Sequence, residues 1–218
     1  MPDITNPVTF QTNEAAIIIS KKTDPAFTHR DWSSDELESL RSAIRNHYRN
    51  EQRGICAYCR NPVSLYSALN CHVEHICPKS KRLDFIFEPK NLCVICDDCN
   101  SIKRAQETEA NEPDTILNSN GRKIYPRSSN AFLIVHPHFD NWDEHIVQFG
   151  KIYLDITPKG NFTIGACILN RFLHKFGWEA VFSDENTLTQ IMQSYINSTD
   201  STEKSIYLRK LRELLVTV

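Results

Sequence analysis

Two Cys-x2-Cys pairs, Cys56/Cys59 and Cys96/Cys99, stand out in a chain of 218 residues that holds eight cysteines, seven of them between Cys56 and Cys99. Each tight pair can present two thiolates on one side of a turn, and two such turns brought together meet the tetrahedral preference of Zn²⁺, with sulfur at about 2.3 Å. Thirty-six residues separate Cys59 from Cys96, against roughly 15 to 20 in a simple zinc ribbon, so a segment is inserted between the two knuckles. Cys93 stands three residues before Cys96 and leaves Cys93/Cys96 open as the second pair. Cys96/Cys99 is preferred, because Asn100 and the following Ser101 to Arg104 read as the start of a helix. Cys71 and Cys77, which flank the insertion, read as packing residues. Local clustering in a chain of this length points to metal rather than to disulfide bridges. The insertion itself carries Val73-Glu74-His75-Ile76-Cys77-Pro78-Lys79-Ser80, followed by Asn91 and then by Asn100.

The acid-His pair, the intermediate Asn, the Cys-x2-Cys-Asn-x2-Lys ending and the upstream Cys-x-Tyr-Cys knuckle together resemble the HNH endonuclease family, over about Cys56 to Arg104. That resemblance implies an α+β fold with a treble-clef-like ββα-metal core, a four-Cys zinc site in Cys56, Cys59, Cys96 and Cys99, and two short strands carrying the acid-His pair and the Asn. It implies that His75 is the general base and that Asn91 holds its imidazole by a hydrogen bond. Glu74 and Asn100 would bind a catalytic Mg²⁺ or Mn²⁺, and Lys103, one turn into the following helix, would face the phosphate backbone. Glu74 stands where many members have Asp, and Asn100 where the family name puts a second His.

The residue types suit this chemistry independently of the resemblance. Phosphodiester hydrolysis near neutral pH needs a deprotonated water, and an imidazole with a pKa of about 6.5 is suited to accept that proton. It also needs charge neutralisation at the phosphate, which an oxygen-ligated divalent ion supplies. Glu and Asn oxygens are hard ligands for that ion, whereas thiolates suit zinc. The whole chain is nearly neutral, at −2, but Arg53 to Arg104 holds eight Lys or Arg against five Asp or Glu. Lys79, Lys81 and Arg82, just after His75, are therefore candidates for phosphate contacts.

Positioning these residues requires elements on both sides. Residues 1–32 read as an extended N-terminal arm with one short strand at Ala15 to Ile19, suited to docking a partner. Ser33 with Glu36 has the spacing of a capping box, and Leu37, Leu40, Ile44 and Tyr48 recur at helical spacing, predicting a helix from about Asp35 to Arg53 stopped by Gly54. With that helix the nuclease core spans 33–110. The polar stretch Glu107 to Asp114 reads as a linker. Residues 111–218 read as a mixed α/β region, with strands at Ala131 to Val135 and Lys151 to Ile156 and a hairpin turn at Pro158 to Asn161. Helical periodicity follows at Thr163 to Phe176, Asp184 to Asn197 and Glu203 to Val216; in the last, Tyr207, Leu208, Leu211, Leu214 and Leu215 form one apolar face.

Beyond the core, Leu133 to Asp140, Asp143 to Ile146, Thr163-Ile164 and Leu169-Asn170-Arg171, with Trp32 and the N-terminal Ile19 to Pro25, are similar to the HNH subunits of Septu-type and retron-associated antiphage systems. That similarity implies an ABC-type ATPase partner and a role in phage defence. His136, His138, Asp140 and His145 read as capping and packing groups, since no tight ligand pair accompanies them.

Composition narrows the remaining classes. Membrane spanning needs about 18 or more successive apolar residues, and the apolar stretches here break after five. The first twenty residues contain no Lys or Arg, so no secretory start is expected, and a cytoplasmic protein is predicted. The leading expectation is a metal-dependent nuclease cutting nucleic acid, with DNA favoured over RNA. An RNA nuclease such as a tRNA-cutting enzyme using the same site, and a non-catalytic zinc-scaffolded module, are the alternatives.

Overall fold

The computed structural model describes residues 1–118, 122–181 and 186–216 of the chain. It is a mixed α+β structure whose sheets are short: β1 (His72–His75) pairs with β2 (Leu92–Ile95), and β3 (Ile146–Phe149) with β4 (Ile152–Asp155). The helices are α1 (Thr12–Thr23), α2 (Glu38–Glu51), α3 (Asp97–Thr108), α4 (Pro158–Ala166), α5 (Arg171–Val181), α6 (Asn186–Asn197) and α7 (Ser201–Val216). Contacts divide the chain into two compact units, Met1–Val147 with Leu154–Leu169, and Gln148–Tyr153 with Asn170–Val218. Among the described residues no helix is long and apolar enough to cross a membrane.

The first unit is organised around α2. Leu37, Leu40, Ile44 and Tyr48, spaced three or four apart, are each fully buried, and α2 packs on both β1 and β2. Burying a Leu or Ile side chain stabilises by roughly 1.5–3 kcal/mol, so this stripe fixes the hairpin against the helix. β1 and β2 are antiparallel, with His75 opposite Leu92 and Glu74 opposite Cys93. Cys96 then serves as N-cap residue of α3. The chain thus runs from hairpin to helix with the two cysteines of the second knuckle at the junction.

Several sequence expectations are corrected here. Ala15 to Ile19 is helix, not strand: Gln11 N–H donates to Glu14 Oε2 at 2.7 Å, a capping contact that outweighs the β preference of three successive Ile. The predicted capping box at Ser33 and Glu36 is not formed. Short 3₁₀ turns over His29–Ser33 and Asp35–Leu37 lead into α2, and Glu36 pairs with Lys21. The segment after α3 is not a loose linker, because Glu112 and Thr115 are buried and the Thr115 hydroxyl donates to Ile76 O at 2.8 Å.

Ala131 to Val135 is largely buried, but its ladder pairing is a single bridge between Phe132 and Ile116, so among the described residues no strand extends along it. Pro158 to Asn161 is the first turn of α4, with Thr157 accepting from Gly160 N–H; the partner of β4 lies upstream, in β3. The predicted helix from Thr163 to Phe176 is two helices, broken between Ala166 and Arg171. The second unit contains α5 to α7, with Ile152 buried against Phe149, Met192 and Leu211. Asp184, and the side chains of Leu214 and Leu215, lie outside the described residues.

Candidate metal centre and active-site cleft

The cage is built from two knuckles tied by one side chain. After α2, Gly54 turns the chain at φ +72°, a left-handed conformation that glycine adopts without steric cost. Cys56 N–H donates to Asn61 O at 2.9 Å and Arg60 N–H returns to Cys56 O at 3.2 Å, closing the first knuckle. The Gln52 amide donates to Ile55 O and Val94 O at 2.8 and 2.9 Å and accepts from Val94 N–H at 2.7 Å. It bridges the first knuckle to β2.

The sulfurs of Cys56, Cys59, Cys96 and Cys99 lie within 4.8 Å of one another, all buried; Cys59 and Cys96 are 3.5 Å apart. A tetrahedron with sulfur at about 2.3 Å from zinc has edges of about 3.8 Å, so the quartet matches the ion's demands. Disulfide sulfurs are about 2.05 Å apart, and all eight cysteines are free thiols. Cys93 is not in the quartet, so the second pair is Cys96/Cys99. Within the quartet, hydrogen bonding from Cys56 pulls Cys59 far below an ordinary thiol and Cys96 down to about 7, while burial raises Cys56 and hydrogen bonding from its neighbours raises Cys99, so two of the four sulfurs favour thiolate, the ligand form. Four buried cysteines this close could hold a metal such as zinc.

Beside the cage, a cleft of about 650 Å³ is lined by Glu74, His75, Asn100 and Lys103 together with Trp32, Lys79 and Glu112. His75 Nε2–H donates to Ile86 O at 3.0 Å, which leaves Nδ1 as the unprotonated nitrogen. Burial first, then the positive charge of Lys79, lowers the His75 pKa to about 3, so the ring is neutral near physiological pH. Trp32 meets it edge-on, with ring centroids 4.5 Å apart. Glu74 Oε1 accepts from the Tyr58 hydroxyl at 3.2 Å and pairs with Lys103 Nζ at 2.7 Å. Oε2 of Glu74 and the side-chain amide of Asn100 have no hydrogen-bond partner among the described residues.

Two predicted residues, Asn91 and Lys103, are placed differently from expectation. The Asn91 side chain makes no hydrogen bond to His75. Its carbonyl accepts from Cys77 N–H at 2.7 Å, and its NH₂ donates to Cys77 O and Phe85 O at 3.2 and 3.0 Å. It pins the loop whose next carbonyl, Ile86 O, holds the imidazole, so it acts on His75 at one remove. Lys103 is buried rather than presented to solvent. Burial alone would lower its pKa, but Glu74 and Glu112 outweigh it and hold the ammonium charged.

Lys81 and Arg82 do not line the cleft: Lys81 is exposed and Arg82 stands 3.7 Å from Asp114. Lys79 does line it, with its ammonium on both oxygens of Glu107 at 2.8 Å.

His136 and His138 brace the core. The Tyr125 hydroxyl lies 2.9 Å from His136 Nε2, and His138 Nε2–H donates to Leu92 O at 2.8 Å, fixing β2 from behind. Asp140 accepts from His136 N–H and from Lys159.

Sequence reading missed Arg30, Arg41, Arg45 and Arg104, which line the same cleft. Arg41 and Arg45 stand four apart on α2, on one face, so the helix already expected there carried the signal. Glu112 lay hidden in a stretch read as linker. No model of a known protein family matches the chain, and no curated protein matches it.

Proposed function

We propose that this chain is a metal-dependent nuclease of the HNH type that hydrolyses phosphodiester bonds of nucleic acid, DNA in preference to RNA. The observation that carries the reading is the shared cleft. It gathers a neutral imidazole, a carboxylate oxygen and an amide oxygen that have no hydrogen-bond partner among the described residues, and a surplus of Arg and Lys over Glu. The hairpin-to-helix order of β1, β2 and α3, with the four-cysteine quartet at its base, supports a ββα-metal core.

Glu74 and Asn100 are the residues to hold a Mg²⁺ or Mn²⁺ ion, since both offer hard oxygens with unused hydrogen-bonding capacity, and the bound ion supplies Lewis-acid charge neutralisation. His75 Nδ1 takes the proton of the attacking water. Nε2–H, held on Ile86 O, keeps the ring oriented while it becomes positive. An entering phosphate brings negative charge beside the imidazole and raises its pKa from that depressed value. Arg30 and Arg104, both exposed at the cleft, meet the flanking phosphates. The sequence motifs alone extend the proposal to an ABC-type ATPase partner and a cytoplasmic role in phage defence.

The test is digestion of supercoiled plasmid and matched RNA with Mg²⁺ or Mn²⁺, with and without an ABC-type ATPase subunit. Plasmid nicking is expected, falling by about 10²- to 10⁴-fold in His75→Ala. Preferential RNA cleavage selects the RNA reading. Normal binding without hydrolysis under any metal condition selects a zinc-scaffolded binding module, and unchanged cleavage by His75→Ala refutes the catalytic assignment.

A further inference from the structure

Resting on that reading, the cleft contains one feature it does not use: a lysine seated between two carboxylates. Lys103 Nζ is 2.7 Å from Glu74 Oε1 and 3.6 Å from Glu112 Oε1, and the three side chains are only 8–10 % exposed. Glu112 is itself oriented, since Ser80 Oγ donates to its Oε2 at 3.2 Å. A buried ammonium must remain paired. A divalent cation on Glu74 places like charge beside that ammonium, so the carboxylate cannot serve both well. Glu112 gives Lys103 a second seat already within ion-pair distance, on a flexible four-carbon stem.

We propose that Glu112 is a positioning residue for cation binding: it accepts the Lys103 ammonium and so releases Glu74 to hold the divalent ion. Lys103 is then a resident cation that fills the acidic site until the divalent ion arrives. Glu112 is what allows the exchange without leaving a charge buried alone.

The test is a double-mutant cycle on Mn²⁺ affinity, measured by electron paramagnetic resonance on the full-length, zinc-loaded protein without nucleic acid. Glu112→Gln keeps the shape and removes the charge, so Lys103 stays on Glu74 and Mn²⁺ binding weakens by about tenfold or more. Lys103→Met removes the competitor and tightens Mn²⁺ binding. In the Lys103→Met background, adding Glu112→Gln changes affinity by less than about twofold, because there is no ammonium left to receive.

Wild-type affinity in Glu112→Gln overturns the proposal. So does equal weakening in both backgrounds, which would make Glu112 a direct ligand or a general field. Absence of Mn²⁺ binding in the wild type overturns both the proposal and the metal-dependent reading. Binding with the expected cycle but no cleavage of any nucleic acid upholds the exchange and overturns the nuclease reading alone.

Discussion

The thiol quartet and the cleft are built on the same frame of β1, β2 and α3, yet they treat their polar atoms in opposite ways. In the quartet each sulfur is buried and lies within 4.8 Å of the other three, so the ligands converge on one another. The cleft is lined by Glu74, His75 and Asn100, and Glu74 Oε2, the Asn100 amide and His75 Nδ1 have no hydrogen-bond partner among the described residues. A closed, self-complementary set suits an ion that stays; an open set suits an ion and a substrate that come and go. The same β1 residue joins the two regimes: Glu74 takes Tyr58, from the first knuckle, on one oxygen and offers the other to the cleft.

The comparison breaks most visibly at the cage. Cys59→Ser, or removal of the metal by a strong chelator, is expected to cost more than about 4 kcal/mol, enough to unfold a domain of ordinary stability. Thermal melting followed by circular dichroism, together with about one zinc per chain in fresh protein, checks this. Substoichiometric zinc with an unchanged melting curve would mean that the thiols are only core.

Asn91 sharpens the boundary between the two regions. It is fully buried and its side chain makes three hydrogen bonds, none of them to the imidazole, so Asn91→Ala should destabilise by about 2–4 kcal/mol, the cost of orphaning buried backbone groups. Cleavage should fall as well, because the loop bearing Ile86 O loosens. Loss of cleavage at full stability would instead assign Asn91 a direct role at the reacting atoms.

Acid sensitivity separates the cage from the buried histidines, His75 at the cleft and His136 and His138 in the core behind it. Burial lowers His75 to about 3, His138 from 6.5 to about 4, and His136 well below its ordinary value. The unfolded chain therefore takes up protons before the folded one as pH falls. Stability is full above about 6.5 and is lost on descending toward about 4, by about 3 kcal/mol for His138 alone. Urea midpoints at pH 7.5 and 5.0, with zinc retention followed in the same samples, should show a drop while zinc is still bound. An unchanged midpoint contradicts the neutral buried imidazoles.

The legibility of the chain in its sequence follows the same division. The cysteine quartet was readable because each knuckle is a local turn, and the spacing of Cys56/Cys59 and Cys96/Cys99 brings their sulfurs together. Glu74, His75 and Asn100 were readable because a four-residue strand and a helix start leave little freedom in where they point. The partners of those residues were not, because they arrive from far along the chain. Trp32 reaches His75 across 43 positions, and Glu112 returns to Lys103 through a stretch whose polarity looked solvated. Lys103 looked like a surface residue because one counter-charge, Glu74, comes from the preceding hairpin and the other, Glu112, from the stretch that read as linker. The misread α1 shows the converse, where a local contact between Gln11 and Glu14 overrode an apolar run that read as strand.

The most direct test of convergence on one cleft is an anomalous-scattering map from crystals of the zinc-loaded protein soaked in Mn²⁺ with a short DNA duplex. A manganese peak bounded by Glu74 and Asn100, with a backbone phosphate lying between it and His75 Nδ1, is expected. Manganese bound elsewhere, or a phosphate held away from His75, would contradict that convergence.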